Sequence, residues 1–154
     1  MPKLQINTVE LHYEEHGTGA KPIIFVHGFL LSSTMWQDFY MAHLPEPYRA
    51  YAIDVRGHGQ SHHIKQGCNL VQLADDVYQF AQRLQLGKFV YAGVSMGGAI
   101  GVQLALDRPE ALHALILMNP GLGSIATGIY RLLLLVMPLM AQKRRFLKRI
   151  IQIY

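Results

Sequence analysis

Residues 88–106 read Lys88-Phe-Val-Tyr-Ala-Gly93-Val-Ser95-Met96-Gly97-Gly98-Ala-Ile-Gly101-Val-Gln-Leu-Ala-Leu106. The continuous apolar run at 89–92 predicts a strand covered on both faces. The small residues that follow predict a sharp turn into a closely packed helix. Gly93-x-Ser95-x-Gly97 is the nucleophile-elbow pattern, in which a tight strand-to-helix turn pushes a serine hydroxyl out over the end of a parallel sheet. At Gly93 and Gly97 a Cβ would collide with the neighbouring strand or helix. Gly98, Ala99 and Gly101 let the helix lie near the sheet. The Met96 N–H falls at a helix N-terminus, where partial positive charge gathers and a developing oxyanion would find a donor.

Outward from this stretch the chain alternates strand and helix. Apolar runs at 23–26, 50–53 and 114–118 predict further buried strands, spaced widely enough to hold crossover helices. Residues 4–6 and 9–13 alternate apolar and polar around Asn7-Thr8 and predict an antiparallel hairpin with one wet face. Residues 70–86 predict a helix, with Leu70, Leu73, Ala74, Val77, Phe80, Ala81 and Leu84 on one face. Asn69 and Gln72 form a capping-box pattern at its start, and Gly87 is placed to close its end. The expected architecture is a three-layer α/β/α sandwich around a mostly parallel sheet.

A length of 154 residues suits one domain with a real core. Apolar residues make up 51% and charged residues 16%, a balance that excludes intrinsic disorder. One cysteine, Cys68, excludes an intrachain disulfide and fits a reducing compartment. The first residues lack the apolar stretch of a signal peptide, so the expected location is cytoplasmic. The net charge of +4 is lopsided: residues 1–110 hold all 10 acids and 8 of the 14 cations, and residues 111–154 hold the other 6 cations. No basic footprint covers the whole domain, so a nucleic-acid partner is not expected. Oligomeric state stays open.

In open α/β sheets function gathers at the C-terminal ends of the strands. Those ends carry His27-Gly28-Phe29, then Asp54-x-Arg56-Gly57-His58-Gly59-x-Ser61, then the Ser95 elbow, then Asn119-Pro120-Gly121. The first three, with Trp36 between the first and second, closely resemble the α/β-hydrolase fold superfamily, and above all its small, lidded, esterase-like branch. The resemblance covers residues 4–121. It implies 1–121 as the N-terminal part of a hydrolase core and 122–154 as the start of a helical cap. It further implies Ser95 as nucleophile and the backbone N–H groups of Phe29 and Met96 as the oxyanion hole. His27, Gly28, Gly93 and Gly97 would shape the site, with His27 not the general base. A serine hydroxyl needs both a base and oxyanion donors, which agrees with this assignment. The activity the resemblance implies is hydrolysis of a small carboxylic ester, lactone or related acyl compound through an acyl-enzyme, with carbon–carbon hydrolysis of diketones as the other reaction open to this branch. No metal or organic cofactor is implied.

The family order is Ser, then acid, then His. Here no acid follows Glu110, and the one later histidine, His113, precedes the 114–118 run at the end opposite the active edge. The expectation is a C-terminally truncated core without its triad acid and histidine, either a piece of a longer hydrolase or a short protein that has lost catalysis. The competing function is a non-catalytic α/β-hydrolase-like binding or interaction protein. Two minor patterns fail their context. Gly121-x-Gly123-x-x-Ala126 lacks the second strand and the acid of a dinucleotide site. His58, His62, His63 and Cys68 match no usual zinc spacing. Residues 129–154 pair an apolar run with a basic amphipathic helix, which suits a cap helix over an acyl pocket better than a membrane anchor, because Arg131 and Pro138 interrupt the run.

Overall fold

The computed structural model describes residues 2–62 and 69–120. The expected cap at 122–154, its amphipathic helix, the Gly121-x-Gly123-x-x-Ala126 pattern, His63 and Cys68 lie outside the described residues.

Strands β1 (Lys3–Ile6) and β2 (Val9–His16) form the expected hairpin, with Ile6 opposite Val9. Asn7 turns the chain with a φ of 50°, a left-handed position that asparagine tolerates. The remaining strands are β3 (Lys21–Val26), β4 (Tyr48–Ile53), β5 (Phe89–Val94) and β6 (Leu112–Met118). The sheet runs β1-β2-β4-β3-β5-β6. The β4–β3, β3–β5 and β5–β6 pairs are parallel, and β2 joins β4 antiparallel, so the sheet is mostly parallel as expected. After β3 the chain steps to β4 on one side and then crosses to β5 on the other. That reversal opens a crevice above β3 and β5 at their C-terminal ends.

Helix α1 (Leu70–Arg83) begins with the expected capping box: Gln72 N–H donates to Asn69 Oδ1 at 2.9 Å, and Asn69 N–H donates to Gln72 Oε1 at 3.3 Å. Its end differs from expectation. The helix stops at Arg83, and Gln85 rather than Gly87 takes the closing left-handed position, with a φ of 53°. Gln85 N–H donates to Gln82 O and Leu86 N–H to Ala81 O, both at 3.0 Å, which is the Schellman pattern. Gly87, also left-handed, then leads into β5. Leu73, Ala74, Val77, Phe80 and Ala81 are buried, but Leu70 is 41% exposed. Helical side chains lean toward the N-terminus, so that of a first residue reaches past the helix instead of over its core face.

Helix α2 (Met96–Asp107) packs beside α1 on the same face of the sheet. Alternate residues of the parallel strands divide between two cores. Ile24, Val26, Tyr51, Ile53, Phe89 and Tyr91 meet Val77, Phe80, Ile100 and Leu104. Ile23, Phe25, Ala50, Ala52, Val90 and Ala92 face the other way and are covered by Trp36 and Met41. These last two come from tight helical turns at Ser33–Trp36 and Gln37–Met41, which no periodicity marks. Trp36 is wholly buried, with its ring 5.0 Å from that of Phe25. Among the described residues this short segment forms the second outer layer, thinner than the paired helices opposite. The 114–118 run, expected to be buried, is not: β6 has a neighbour only on its β5 side there, none of its residues is buried, and Ile116 is exposed.

The two ends of α1 make opposite predictions. Asn69→Ala removes the cap and should lower unfolding free energy by about 1 kcal/mol. Gln85→Gly removes the Cβ from a left-handed position and should raise it by about 1 kcal/mol. Urea unfolding followed by circular dichroism checks both.

Candidate active site

The site is built where β3 and β5 end. Ser95 sits between β5 and α2 with a φ of 51° and a ψ of −111°. A non-glycine residue held there costs about 1–3 kcal/mol and persists only where the surroundings over-determine it. Ser95 N–H donates to Met118 O at 3.0 Å, and Ser95 O accepts from Ala99 N–H at 3.1 Å. A Cβ on Gly93 would lie 2.3 Å from Gly97 O, and one on Gly97 would lie 2.2 Å from Val26 O. Both are far inside contact distance, so the steric reading of the elbow holds. Tyr91, fully buried, donates its hydroxyl to Gly97 O at 2.5 Å, and a Cβ on Gly101 would lie 2.4 Å from its ring. Burial without a charged partner pushes the Tyr91 phenol well above its ordinary pKa, so it stays a donor.

The loop after β3 comes up against Ser95. A Cβ on Gly28 would be 3.6 Å from Ser95 Cβ and 3.4 Å from Leu31 Cδ1, ordinary contact distances. Gly28 therefore relieves no clash; a methyl there would rest in contact with the serine. Leu31 N–H donates to Gly28 O at 3.2 Å, closing a tight turn around Phe29 and Leu30, and Leu30 takes a φ of 67°. Met96 begins α2, and the first N–H groups of a helix have no partner within it.

His27 is wholly buried and both its ring nitrogens are in use. Its Nδ1 lies 2.7 Å from Gly28 O, and its Nε2 accepts from Val55 N–H at 3.1 Å. A carbonyl can only accept, so the proton belongs on Nδ1. Burial lowers the pKa of His27 and keeps it neutral, despite the Gly28 carbonyl. Such a histidine ties the loop to Val55 through both of its ring nitrogens. His58 packs against both, its ring 5.2 Å from His27 and 5.7 Å from Phe29.

Asp54 directly follows β4 and is the buried acceptor on which the neighbouring loops converge. Ser33 N–H (2.5 Å) and Gln60 N–H (2.8 Å) donate to it, and His12 Nδ1 lies 2.9 Å away. Ser61 Oγ donates to Asp54 O at 2.6 Å and accepts from His12 N–H at 2.8 Å. A Cβ on Gly59 would lie 2.1 Å from the Asp54 carboxylate. Arg56 makes a two-pronged ion pair with Asp76 of α1, at 2.5 Å for each prong. Burial raises the Asp76 pKa more than Arg56 lowers it. The Asp54–Ser61 segment is thus a fastening between hairpin, loop and helix.

The structure brings His27, Gly28, Phe29, Gly93, Ser95, Met96 and Gly97 to one sheet edge. It keeps His113 apart, at the N-terminal end of β6, and Asp107 at the end of α2, where Gln103 Nε2 binds it. A cleft of about 490 Å³ is lined by α1, α2 and Asn7 rather than by Ser95. Sequence reasoning missed His12, Ser33 and Asp76, whose partners are remote in the chain. It also missed Tyr91, although a tyrosine inside a buried strand signals a partner for its hydroxyl. No group of three or more metal-ligating side chains occurs among the described residues. No helix there is long and apolar enough to cross a membrane.

Comparison with known proteins agrees with this fold. The family model for the alpha/beta hydrolase fold matches residues 21–147. The chain is 31% identical to the dihydrolipoyllysine-residue acetyltransferase component of the acetoin cleaving system of Cupriavidus necator, over 96% of this chain and 38% of that protein. It is 32% identical to 3-oxoadipate enol-lactonase 2 of Acinetobacter baylyi, over 75% of this chain and 43% of that protein. A solved thermophilic esterase from Thermogutta terrifontis superposes with a TM-score of 0.68 at 33% identity, covering 76% of this chain and 45% of that one. The chain spans less than half the length of each of these relatives.

Asp54 makes a pH prediction. Burial pushes its carboxyl up, but the hydrogen bonds from Gln60, Ser33 and His12 outweigh this and hold its pKa below the ordinary value. A carboxyl lowered on folding contributes stability that is present above its unfolded pKa and lost as pH falls through its folded one. Wild-type urea midpoints should therefore drop on acidification below the ordinary carboxylate range. Asp54→Ala should be less stable at neutral pH by about 3 kcal/mol or more, since its donors lose their acceptor. It should also show a flatter acid limb in the same urea series.

Proposed function

The chain belongs to the α/β-hydrolase fold family, and on that premise we propose that it carries the nucleophile half of a serine hydrolase acting on a small carboxylic ester, lactone or related acyl compound. The observation that carries the proposal is the backbone of Ser95, held at a φ of 51° and a ψ of −111° at the turn from β5 into α2. Packing alone has no use for a strained serine there. The enol-lactonase and the esterase among the relatives support the substrate class.

In this reading Ser95 Oγ attacks the substrate carbonyl carbon and gives its proton to a general base. The carbonyl oxygen becomes an oxyanion that accepts from the Phe29 and Met96 N–H groups. The positive end of α2 adds to this stabilisation. Collapse of the tetrahedral intermediate expels the alcohol and leaves an acyl-serine, which water hydrolyses. His27 cannot be the base, because its Nε2 is occupied by Val55 N–H. His113 and Asp107 stand away from Ser95. We assign neither the triad histidine nor the triad acid to this chain. The 154 residues alone should give only a residual acceleration, of about 10³–10⁴ over water.

An alkyl fluorophosphonate tests the nucleophile directly, by intact mass and peptide mapping. The expected result is slow, stoichiometric labelling of Ser95, absent in Ser95→Ala. Gly28→Ala should fold normally, its new methyl meeting only ordinary contacts, yet label more slowly because it fills space beside Ser95. No labelling of Ser95 would favour the non-catalytic binding protein. Multiple fast turnovers of a small ester, lost in Ser95→Ala, would show that this chain holds its own base.

A further inference from the structure

The sheet has a second polar cleft at the edge opposite Ser95. Lys21 begins β3, Lys88 directly precedes β5, and His113 is the second residue of β6. The β3–β5 register pairs Ile23 with Val90. Lys21 and Lys88 each stand two residues earlier, so the same register brings them level on neighbouring strands and onto the face of Ile23 and Val90. The β5–β6 register pairs Phe89 with Leu112 but Val90 with Ala114, so His113 is the extra residue of a β-bulge. Bulges re-aim a side chain, and this one lines the same cleft as the two lysines. Tyr48 closes one side, with Lys21 Nζ 6.0 Å from its ring centre, and Pro22 and Val90 form an apolar floor.

The side-chain charges of this cleft are all of one sign. Among the described residues, Lys3, Arg49 and Arg56 are each paired with a carboxylate. Lys21, Lys88 and His113 have no carboxylate partner there, and no acidic residue lines their cleft. Two ammonium groups facing one cavity repel each other, and an anion between them turns that repulsion into attraction. The cavity holds about 170 Å³. That is several times the ~30 Å³ share of one water and enough for a tetrahedral oxyanion.

We infer that this cleft binds a small dianion of the phosphate type, either inorganic phosphate or the phosphate group of a small monoester. The lysines supply charge-assisted hydrogen bonds, the His113 ring and the Tyr48 hydroxyl offer further donors, and the apolar floor takes the organic part of an ester. The site lies roughly 20 Å from Ser95, the length of the six residues of β5 at ~3.3 Å each. It is independent of the acyl chemistry proposed there.

The test is a ¹⁵N–¹H NMR titration of the full 154-residue chain with inorganic phosphate and then with phenyl phosphate, at ionic strength held constant with NaCl. Saturable shifts centred on the amides of Lys21, Lys88 and His113 are expected. Lys21→Gln and Lys88→Gln should each weaken binding roughly tenfold, because each removes a hydrogen bond to a charged group. Arg83→Gln, an exposed cation elsewhere, should leave it unchanged. Tighter binding of phenyl phosphate would identify a monoester as the ligand, and equal binding free phosphate. Shifts that do not saturate, that NaCl alone reproduces, that centre on residues 143–149 or that survive both lysine substitutions would overturn the inference.

Discussion

Everything at the active edge depends on how closely helix α2 approaches the sheet. With a Cβ on Gly97 only 2.2 Å from the Val26 carbonyl, no side chain fits between helix and strand. The same closeness brings the Gly97 carbonyl within reach of the Tyr91 hydroxyl and leaves Ser95 to make the turn in a strained conformation. The strain, the half-buried serine and the helix terminus behind it are one geometric fact seen three ways. A wider turn would relax Ser95 and remove the positive end of the helix from it.

The second support is a buried carboxylate rather than a hydrophobic contact. Asp54 is tolerable in the interior because donors from three separate parts of the chain surround it: His12 on the hairpin, Ser33 after the His-Gly loop and Gln60 on its own loop. Such an acceptor is demanding, because losing any donor leaves the charge under-satisfied. In return it sets the distance between segments that share little apolar surface. The His27 ring does the same on a smaller scale, joining the Gly28 carbonyl to the Val55 amide. Polar bonds of fixed length thus hold the loops around the serine, while apolar packing holds the strands beneath it.

Much of this was legible in the sequence wherever the constraint is local. The elbow announces itself because steric exclusion falls on residues within a few positions of Ser95. The capping box at Asn69 and Gln72 is readable for the same reason, and the runs at 23–26, 50–53 and 89–92 because burial on both faces forbids polar residues; the 114–118 run forms a strand, but none of its residues is buried among the described residues. Legibility failed where the cause is remote or ambiguous. Either Gln85 or Gly87 could have ended α1, and propensity pointed to the glycine while the chain used the glutamine. The turns at Ser33–Met41 have no period to detect, although Trp36 is among the largest fully buried side chains of the structure. The donors of Asp54 lie up to 42 residues away in sequence. The cleft at Lys21, Lys88 and His113 needs a strand register and a bulge before its members meet at all.

The phenol of Tyr91 has an optical consequence. Its hydroxyl is sealed under the elbow and resists ionisation. Ionising it at high pH takes away the proton that it shares with the Gly97 carbonyl, and with it a bond that ties the start of α2 to the sheet. The protein therefore contains a built-in chromophore whose delayed absorbance reports the integrity of the serine turn, with no label attached and no substrate needed.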